Sequence, residues 1–599
     1  MQQKTDPNSK INAVELAIMA NRMDAVVREM TNTMLLAAKS SVLGIARDFS
    51  CAIISHDDQV LATAEALPIH VLGMDSQFSY IREYHPDFKE GDAFLDNDPY
   101  AGSSHAADHT TLVPVFYDGV HCFTVGVKAH QADTGNSLPT TYMATAIDVY
   151  NEGTLIFPGV KIQENYKDNQ DIVRMCKKRI RVPDQWYGDY LAAIGSARIG
   201  ERSCKEIIKK YGVEKIIQFQ KEWLDYSERL TADAIRKMPK GKLKTKGSHD
   251  PMDPILPDRI FVNLDLDIDP DEAMVTVDLR DNIDCIDAGL NLTKATATMA
   301  AAQGVFHCLK EDIPANSGSL RRINVLLREG CLVGIPKFPH SCSMGTTNFT
   351  DVIINTTMSS FAELGEGLGF AHGNYCNTAA SGVASGTDPR RGSEPFVNQM
   401  FMMGGGGGAS STTDGMHYYF VPVGAGLLYR DSVEINEQRF PIMIKSMKLL
   451  EDSMGHGKRR GGPATEVIMG PRGSKMKILH ACNGLETAPK GVRGGTESKL
   501  GENVRIAPDG SEHPYPAVMN IDLEPGDLLR SRDQGGGGYG NPIDREIERV
   551  LKDVKNKFIS KDIALKIYGV VITGSEKDDS LDVDIKATNA IREEIKKKN

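Results

Sequence analysis

The stretch Leu95–Gly135, LDNDPYAGSSHAADHTTLVPVFYDGVHCFTVGVKAHQADTG, restricts the fold of this chain more than any other. Two runs rich in β-branched and aromatic residues flank Asp118-Gly119. That pair predicts a two-residue hairpin turn, because Asp and Gly tolerate the left-handed backbone such turns require. Tyr117 then pairs with Val120. Carried outward without a bulge, the register sets His130 opposite Ala107 and Asp133 opposite Ser104, so His130 comes close to both His105 and Asp108. Strand neighbours alternate faces, which turns His109 away from Asp108. His121 starts a strand beside the turn, far from the group. From four histidines and five aspartates the register selects His105, Asp108 and His130, with Asp133 and Asp98 as further or outer ligands.

Two imidazoles and a carboxylate leave coordination positions open, which suits Mn, Fe or catalytic Zn. Structural zinc sites fill all four positions, often with cysteine. An ion with open positions polarises a carbonyl or activates water. The ten cysteines contain no CxxC and read as scattered buried thiols of a reducing cytoplasm. A net charge of −11 argues against a nucleic-acid surface. No stretch approaches the ~20 apolar residues of a membrane span, and the N-terminus lacks a secretion-signal pattern. The expected location is the cytoplasm.

The predicted fold class is α/β plus β-rich regions, in a large multi-domain chain with a helical C-terminal appendage. Residues 12–47 read as one long amphipathic helix, with Val14, Ala17, Ile18, Val26, Val27 and Met30 on its apolar face. DFSCAIISHDDQVLAT reads as a hairpin turning at His56–Asp58, followed by strands at 93–96, 111–117 and 121–128. Helices fill about 170–238. The Lys-, Gly- and Pro-rich stretch 239–258 is a boundary or an exposed hairpin. Beyond it lie alternating strands, a small-residue helix (TKATATMAAAQGVFHCLK) and many short strands with glycine turns. The expected domains are 1–240, carrying the hairpin, 241–540, β-rich with glycine loops, and 541–599, charged and helical.

No segment has the GxxxxGK[ST] spacing of a phosphate-binding loop. GHGKRRGG (455–462) and GPRGSK (470–475) read as basic glycine turns, with phosphate or bicarbonate contact as the alternative. Gly404–Gly408 admits two readings. It is a tight structural loop, or Gly405 and Gly406 bring backbone N–H groups against a substrate. Gly535–Gly538 reads as structural.

Six segments carry a resemblance, in this order: ARDFSCAI, NDPYAGSSHAAD, AHQADTG, YNEGTLIFPGVKI, RVPDQWYGDYLAAIGSARIGERS and GGGGYGNP. Nearly the whole chain resembles the B-type subunit of the hydantoinase/oxoprolinase family, which includes related subunits of acetone and acetophenone carboxylases. The resemblance implies an A-type partner with an actin-like nucleotide-binding fold, which binds most of the ATP and Mg, and as a further expectation a small third subunit. It implies a divalent metal on a His, Asp, His pattern that matches His105, Asp108 and His130. Arg47, Asp48 and Glu152 fall in family-like motifs, with Asp98, Glu152, Gly405 and Gly406 as candidate substrate contacts. Hydantoinase-type members usually read DPYRGGTHLPD and HHADIGG. Here Ala101 replaces the arginine, and the single His130-Gln131 is closer to the ketone carboxylases. The preferred expectation is ATP-dependent carboxylation of a ketone, the metal stabilising an enolate that attacks a carboxyl group activated from bicarbonate. The alternatives are ATP-dependent opening of a cyclic amide, such as a hydantoin or 5-oxoproline, and a noncatalytic scaffold role.

Overall fold

The computed structural model describes residues 11–598, apart from 65, 66, 72, 310, 376, 377 and 425–427. A seven-stranded antiparallel sheet holds the site. Its strands are β1 (Phe49–Ser55), β2 (Val60–Ala64), β3 (Ala93–Asp96), β4 (Asp108–Tyr117), β5 (Val120–His130), β6 (Val160–Glu164) and β7 (Lys167–Asp168), in the order β2-β1-β5-β4-β3-β6-β7. β4 and β5 are thus interior strands, which explains why LVPV and CFTVGV are buried throughout rather than on alternate residues.

The hairpin turns at Asp118-Gly119 with Tyr117 opposite Val120, as expected, but it contains a bulge. Phe116 pairs with His121, whereas Val115 pairs with Phe123, leaving Cys122 as the extra residue. The register beyond is displaced by one, so His130 lies opposite Asp108 and not Ala107. The bulge improves the alignment that an unbroken ladder would give, because it makes the carboxylate and the imidazole direct cross-strand partners on one face.

The two faces of this sheet differ. On one, Cys51, Ile53, Val113, Val125 and Val127 join the main apolar core, to which the helices Ala13–Ala37 and Pro183–Tyr211 also contribute. On the other, Ala52, Ile54, Leu112 and Phe94 lie under the helix Met74–Tyr84. Continued two residues at a time towards the open end of the hairpin, that second face turns polar, reaching Ser50, Lys128, Thr110 and Asp96 and then Asp48, His130 and Asp108.

The first helix stops at Ala37, short of the expected single helix over 12–47, and a separate turn of helix covers Ser41–Gly44. The N–H groups of Lys39 and Ser40 donate to Asp189 Oδ1 at 2.6 and 3.1 Å, so a tertiary acceptor replaces the intrahelical one. The expected apolar face is also rotated at its start. Val14 and Ile18 are exposed, and Leu16, Met19, Ala20 and Met23 face the core.

The second sheet has four strands, β8 (Gly241–His249), β9 (Ile260–Asp269), β10 (Met274–Asp278) and β11 (Ile323–Leu326). The helix Lys294–Cys308 lies between β10 and β11 in the chain, and the helix Phe349–Leu364 follows β11. Two further sheets, of four and five strands, lie between Val383 and Arg532. The segment after Pro542 forms the helices Ile547–Lys555, Lys561–Lys566 and Ile585–Lys598 around its own apolar cluster of Val550, Val554, Ile559 and Tyr568. Buried Arg545 fastens it, bonding Asp414 and Asp553 at 2.7 Å each, while Arg460 Nε meets Asp553 Oδ1 at 3.0 Å. The described cysteines are all free, and all but half-buried Cys285 are buried; Cys376 lies outside the described residues. No described helix is long and apolar enough to cross a membrane.

Candidate metal centre

His105, Asp108 and His130 converge. His105 Nε2 lies 3.0 Å from Asp108 Oδ1, His130 Nδ1 lies 3.0 Å from the same oxygen, and the two ring nitrogens are 3.2 Å apart. All three side chains are buried. Strand pairing supplies Asp108 and His130, and the turn Asp98–Ala107 between β3 and β4 brings His105 over them. The other nitrogen of His105, Nδ1, is 2.8 Å from the Ser343 carbonyl, which can only accept. Nδ1 therefore carries the proton, and in the neutral ring Nε2 presents a lone pair to the centre. Tyr142 stacks on both imidazoles, at 5.7 and 5.2 Å between ring centroids, and fixes their planes.

The electrostatics fit a cation. Burial alone would raise the Asp108 carboxyl, yet His105 and His70 hold it well below the usual range. Burial opposes a charged His105, but Asp108 and the Ser343 carbonyl lift it above its ordinary value. His130 is pushed down, by burial first. Two imidazole nitrogens and a carboxylate oxygen within 4.8 Å of one another, on three buried side chains, are a donor set for a divalent ion of the Mn, Fe or Zn kind.

Two neighbours were not selected by the hairpin register. His70 Nε2 donates to Asp108 Oδ2 at 3.1 Å, while its Nδ1 sits 3.2 Å from Ser50 Oγ. The same Oδ2 accepts the Ser104 hydroxyl. Asp48 follows Arg47 in the segment leading into β1. Its backbone carbonyl accepts the His130 N–H at 3.1 Å, and burial followed by repulsion from Asp108 pushes its carboxyl well up. Nothing in spacing points to His70, which comes from a short helix, Pro68–Val71, distant in sequence. Asp48 is reachable by extending the β1–β5 pairing, once that pairing is known.

Other candidates lie elsewhere. Asp133, expected as a ligand, is turned to Arg181, with the guanidinium at 2.8 Å from Oδ1 and the backbone N–H at 2.5 Å from Oδ2. The chain leaves the ladder after His130, so Asp133 does not continue its face. Asp98 caps its own turn by accepting the Tyr100 N–H at 2.9 Å. Glu152 stands behind the centre. It accepts the Ser341 hydroxyl at 2.6 Å, that hydroxyl accepts the Ser343 N–H, and Ser343 holds His105. His109 is on the opposite face against Trp186, and His121 lies among Phe78, Phe88 and Phe116. Burial holds both imidazoles down at about 3. Arg47 stacks on Tyr429.

Gly405 and Gly406 are not at the metal centre. A Cβ on Gly406 would meet the Gly462 carbonyl at 2.0 Å, and one on Gly536 the Gly407 carbonyl at 1.8 Å. The glycine segments at 404–408, 455–462 and 535–538 pack backbone on backbone and exchange hydrogen bonds, such as Gly462 N to Gly407 O and Gly536 N to Gly462 O, both 2.9 Å. This layer touches the site indirectly. Phe401 precedes one glycine run, and Phe420 follows Tyr419, whose N–H donates to Gly405 O at 2.8 Å; both phenyl rings line the cavity over the metal ligands. That cavity measures about 40 Å³ and is walled by Asp48, Leu67, Ile69, His70, His105, Asp108, His130, Tyr142, Thr346, Thr347, Phe401, Phe420, Val421, Gly424 and Leu428.

Comparison with known proteins places the fold and the family. The B component of a putative D-/L-hydantoinase of Pseudomonas sp. (strain NS671) is 28% identical, over 97% of this chain and 98% of that one. The crystal structure of ATP-dependent caprolactamase from Pseudomonas jessenii aligns with a TM-score of 0.86 at 25% identity, over 98% of this chain and 100% of that chain. A nucleotide-free acetone carboxylase structure gives the same TM-score at 19% identity, over 97% and 83%, and shares the fold. The hydantoinase B/oxoprolinase family profile matches residues 12–542, which take in the hairpin, the ligand trio and all the glycine segments, and the chain belongs to that family.

Proposed function

We propose that this chain is the metal-bearing subunit of an ATP-dependent enzyme that acts on a carbonyl group, opening a cyclic amide. The observation that carries the reading is the buried triangle of His105 Nε2, Asp108 Oδ1 and His130 Nδ1, with the His105 tautomer set by Ser343. These three side chains would hold the ion, and Ser104 and His70 hold the second oxygen of Asp108. A divalent ion bound there supplies a Lewis acid for a carbonyl or for water. Burial and the repulsion of Asp108 disfavour the Asp48 carboxylate when no cation is near; a cation would offset both and favour the charged form, which makes Asp48 the neighbour suited to join the ligands. ATP chemistry falls to an A-type partner, since the hydantoinase relative is named as one component of a multi-subunit enzyme.

The sequence favoured ketone carboxylation. The relatives named as a hydantoinase component and a caprolactamase, at 28% and 25% identity, support the amide reading. The likeness to acetone carboxylase is one of fold. Carboxylation stands as the second reading because His130 is followed by Gln131 and not by a second histidine. Labelled bicarbonate separates the two in the reconstituted complex. Ring opening coupled to ATP hydrolysis, with no label incorporated, supports the amide reading, and label in a carboxylated ketone overturns it.

A further inference from the structure

The helix Ala13–Ala37 leaves part of its apolar surface uncovered. Val14 and Ile18 are 71% and 47% exposed, and beside them a groove opens between this helix and the helix Val213–Arg236. Its volume is about 550 Å³, and it shares no lining residue with the metal cavity. Leu16, Ala20 and Trp223 form its apolar floor. The Trp223 indole N–H is spent on the Leu61 carbonyl at 3.1 Å, so the ring is held in place and offers the groove hydrocarbon rather than a donor. Trp223 stacks on Tyr226 with centroids 5.6 Å apart, which extends the aromatic surface towards the rim. That rim is acidic. Asp24, Glu222, Asp225 and Asp312 line the groove against one cation, Arg229. Glu222 accepts the Ile11 N–H at 3.2 Å, and Asp225 pairs with Arg321 at 3.0 Å. Among the described residues, Asp24 and Asp312 have no lysine or arginine at ion-pair distance. Burial pushes the Asp24 carboxyl up, and Arg28 only partly opposes this.

Unpaired carboxylates beside an aromatic floor complement a guest that carries both hydrocarbon and positive charge. The lining runs from Ala13 to Asp24 on the first helix, about 16 Å at ~1.5 Å per residue. Three helical turns of surface, continued onto Val14 and Ile18, match a docked helix and exceed what a small cation covers. The chain's own residues 1–10, MQQKTDPNSK, hold Lys4 and Lys10 but no Leu, Ile, Val, Phe, Tyr or Trp to lay on the floor. We propose that the groove docks a basic amphipathic helix of a partner chain, with its apolar stripe on Leu16, Ile18 and Trp223 and its lysines or arginines against Asp24 and Asp312.

The probe is a labelled peptide of about fifteen residues, with leucine at helical spacing and lysine between, titrated with the full chain. Anisotropy reports binding. Tryptophan emission reports its place, because the chain has two tryptophans and Trp186 is 2% exposed, which leaves Trp223 as the one a guest can cover. Saturable binding with a blue shift is expected. It should weaken about fivefold or more when Asp24→Asn and Asp312→Asn are combined, and by a similar factor when Val14→Ser and Ile18→Ser are combined. The pair Asp284→Asn and Asp287→Asn removes the same charge from exposed side chains outside the groove and should leave affinity within about twofold. Equal weakening by that control pair, equal binding of a scrambled peptide of the same composition, or no saturable binding overturns the proposal. Binding that emerges only after deletion of residues 1–10 also overturns it and assigns the groove to the chain's own N-terminus.

Discussion

The metal centre and the glycine layer are both crowded with one kind of residue, and they are built in opposite ways. At the centre, distant side chains are brought to one point because β4 and β5 align Asp108 with His130 and a turn lays His105 over them. In the glycine layer the convergence is of backbone, and the missing side chain is the useful property. A residue change at the centre removes chemistry from a frame that persists, whereas a methyl group in the layer removes the frame. The two are connected, since segments held by the glycine layer place Phe401 and Phe420 against the metal cavity.

The contrast breaks most severely at Gly536. Gly536→Ala sets a Cβ 1.8 Å from the Gly407 carbonyl, and Gly406→Ala one 2.0 Å from that of Gly462. Neither carbonyl can withdraw without giving up a backbone hydrogen bond, so each change should cost more than about 4 kcal/mol and leave little soluble protein. Soluble yield and Tm measure this, and a Tm within a few degrees of the unsubstituted chain would refute close backbone packing there.

A smaller effect sharpens the boundary of the centre. Asp133→Asn removes charge from a buried carboxylate paired with half-buried Arg181. It should lower stability by about 1–3 kcal/mol while metal content is unchanged. Loss of metal in that variant would return Asp133 to the ligand set.

The glycine layer also carries a pH dependence. His372, whose carbonyl accepts the Gly537 N–H, is kept neutral by burial, which pushes its imidazole down to about 3. Its folded value lies below its unfolded one, so between pH 6.5 and about 3 the unfolded chain binds the extra proton. The stability this group contributes is therefore full above pH 6.5 and declines on acidification. Relative to His372→Asn, the unsubstituted chain should lose at most about 1.4 kcal/mol per pH unit over that window. Denaturant titrations of both proteins at pH 7 and pH 5 measure it, and parallel pH profiles would contradict it.

The hairpin was legible because Asp118-Gly119 and the alternating runs are local signals. The bulge at Cys122 was not, since an extra residue on an interior strand leaves no mark in the hydrophobic pattern. The convergence of His105, Asp108 and His130 survived that error because the displacement was by one residue at a cross-strand distance. Asp133 was misplaced for a related reason: a ladder extrapolated past its end predicts neighbours that the chain, turning towards Arg181, never makes. His70 and the glycine packing depend on contacts between segments far apart in sequence, where spacing carries no information.

The central claim is tested most directly by metal analysis of the purified chain after exhaustive dialysis, alongside His105→Ala and His130→Ala. Close to one equivalent of a transition metal is expected in the unsubstituted protein. Each variant should lose most of it while keeping its circular dichroism spectrum. Fewer than about 0.1 equivalent of tightly held metal, unchanged by either substitution and not restored by added Mn, Fe or Zn, would contradict a metal centre and leave the scaffold reading in its place.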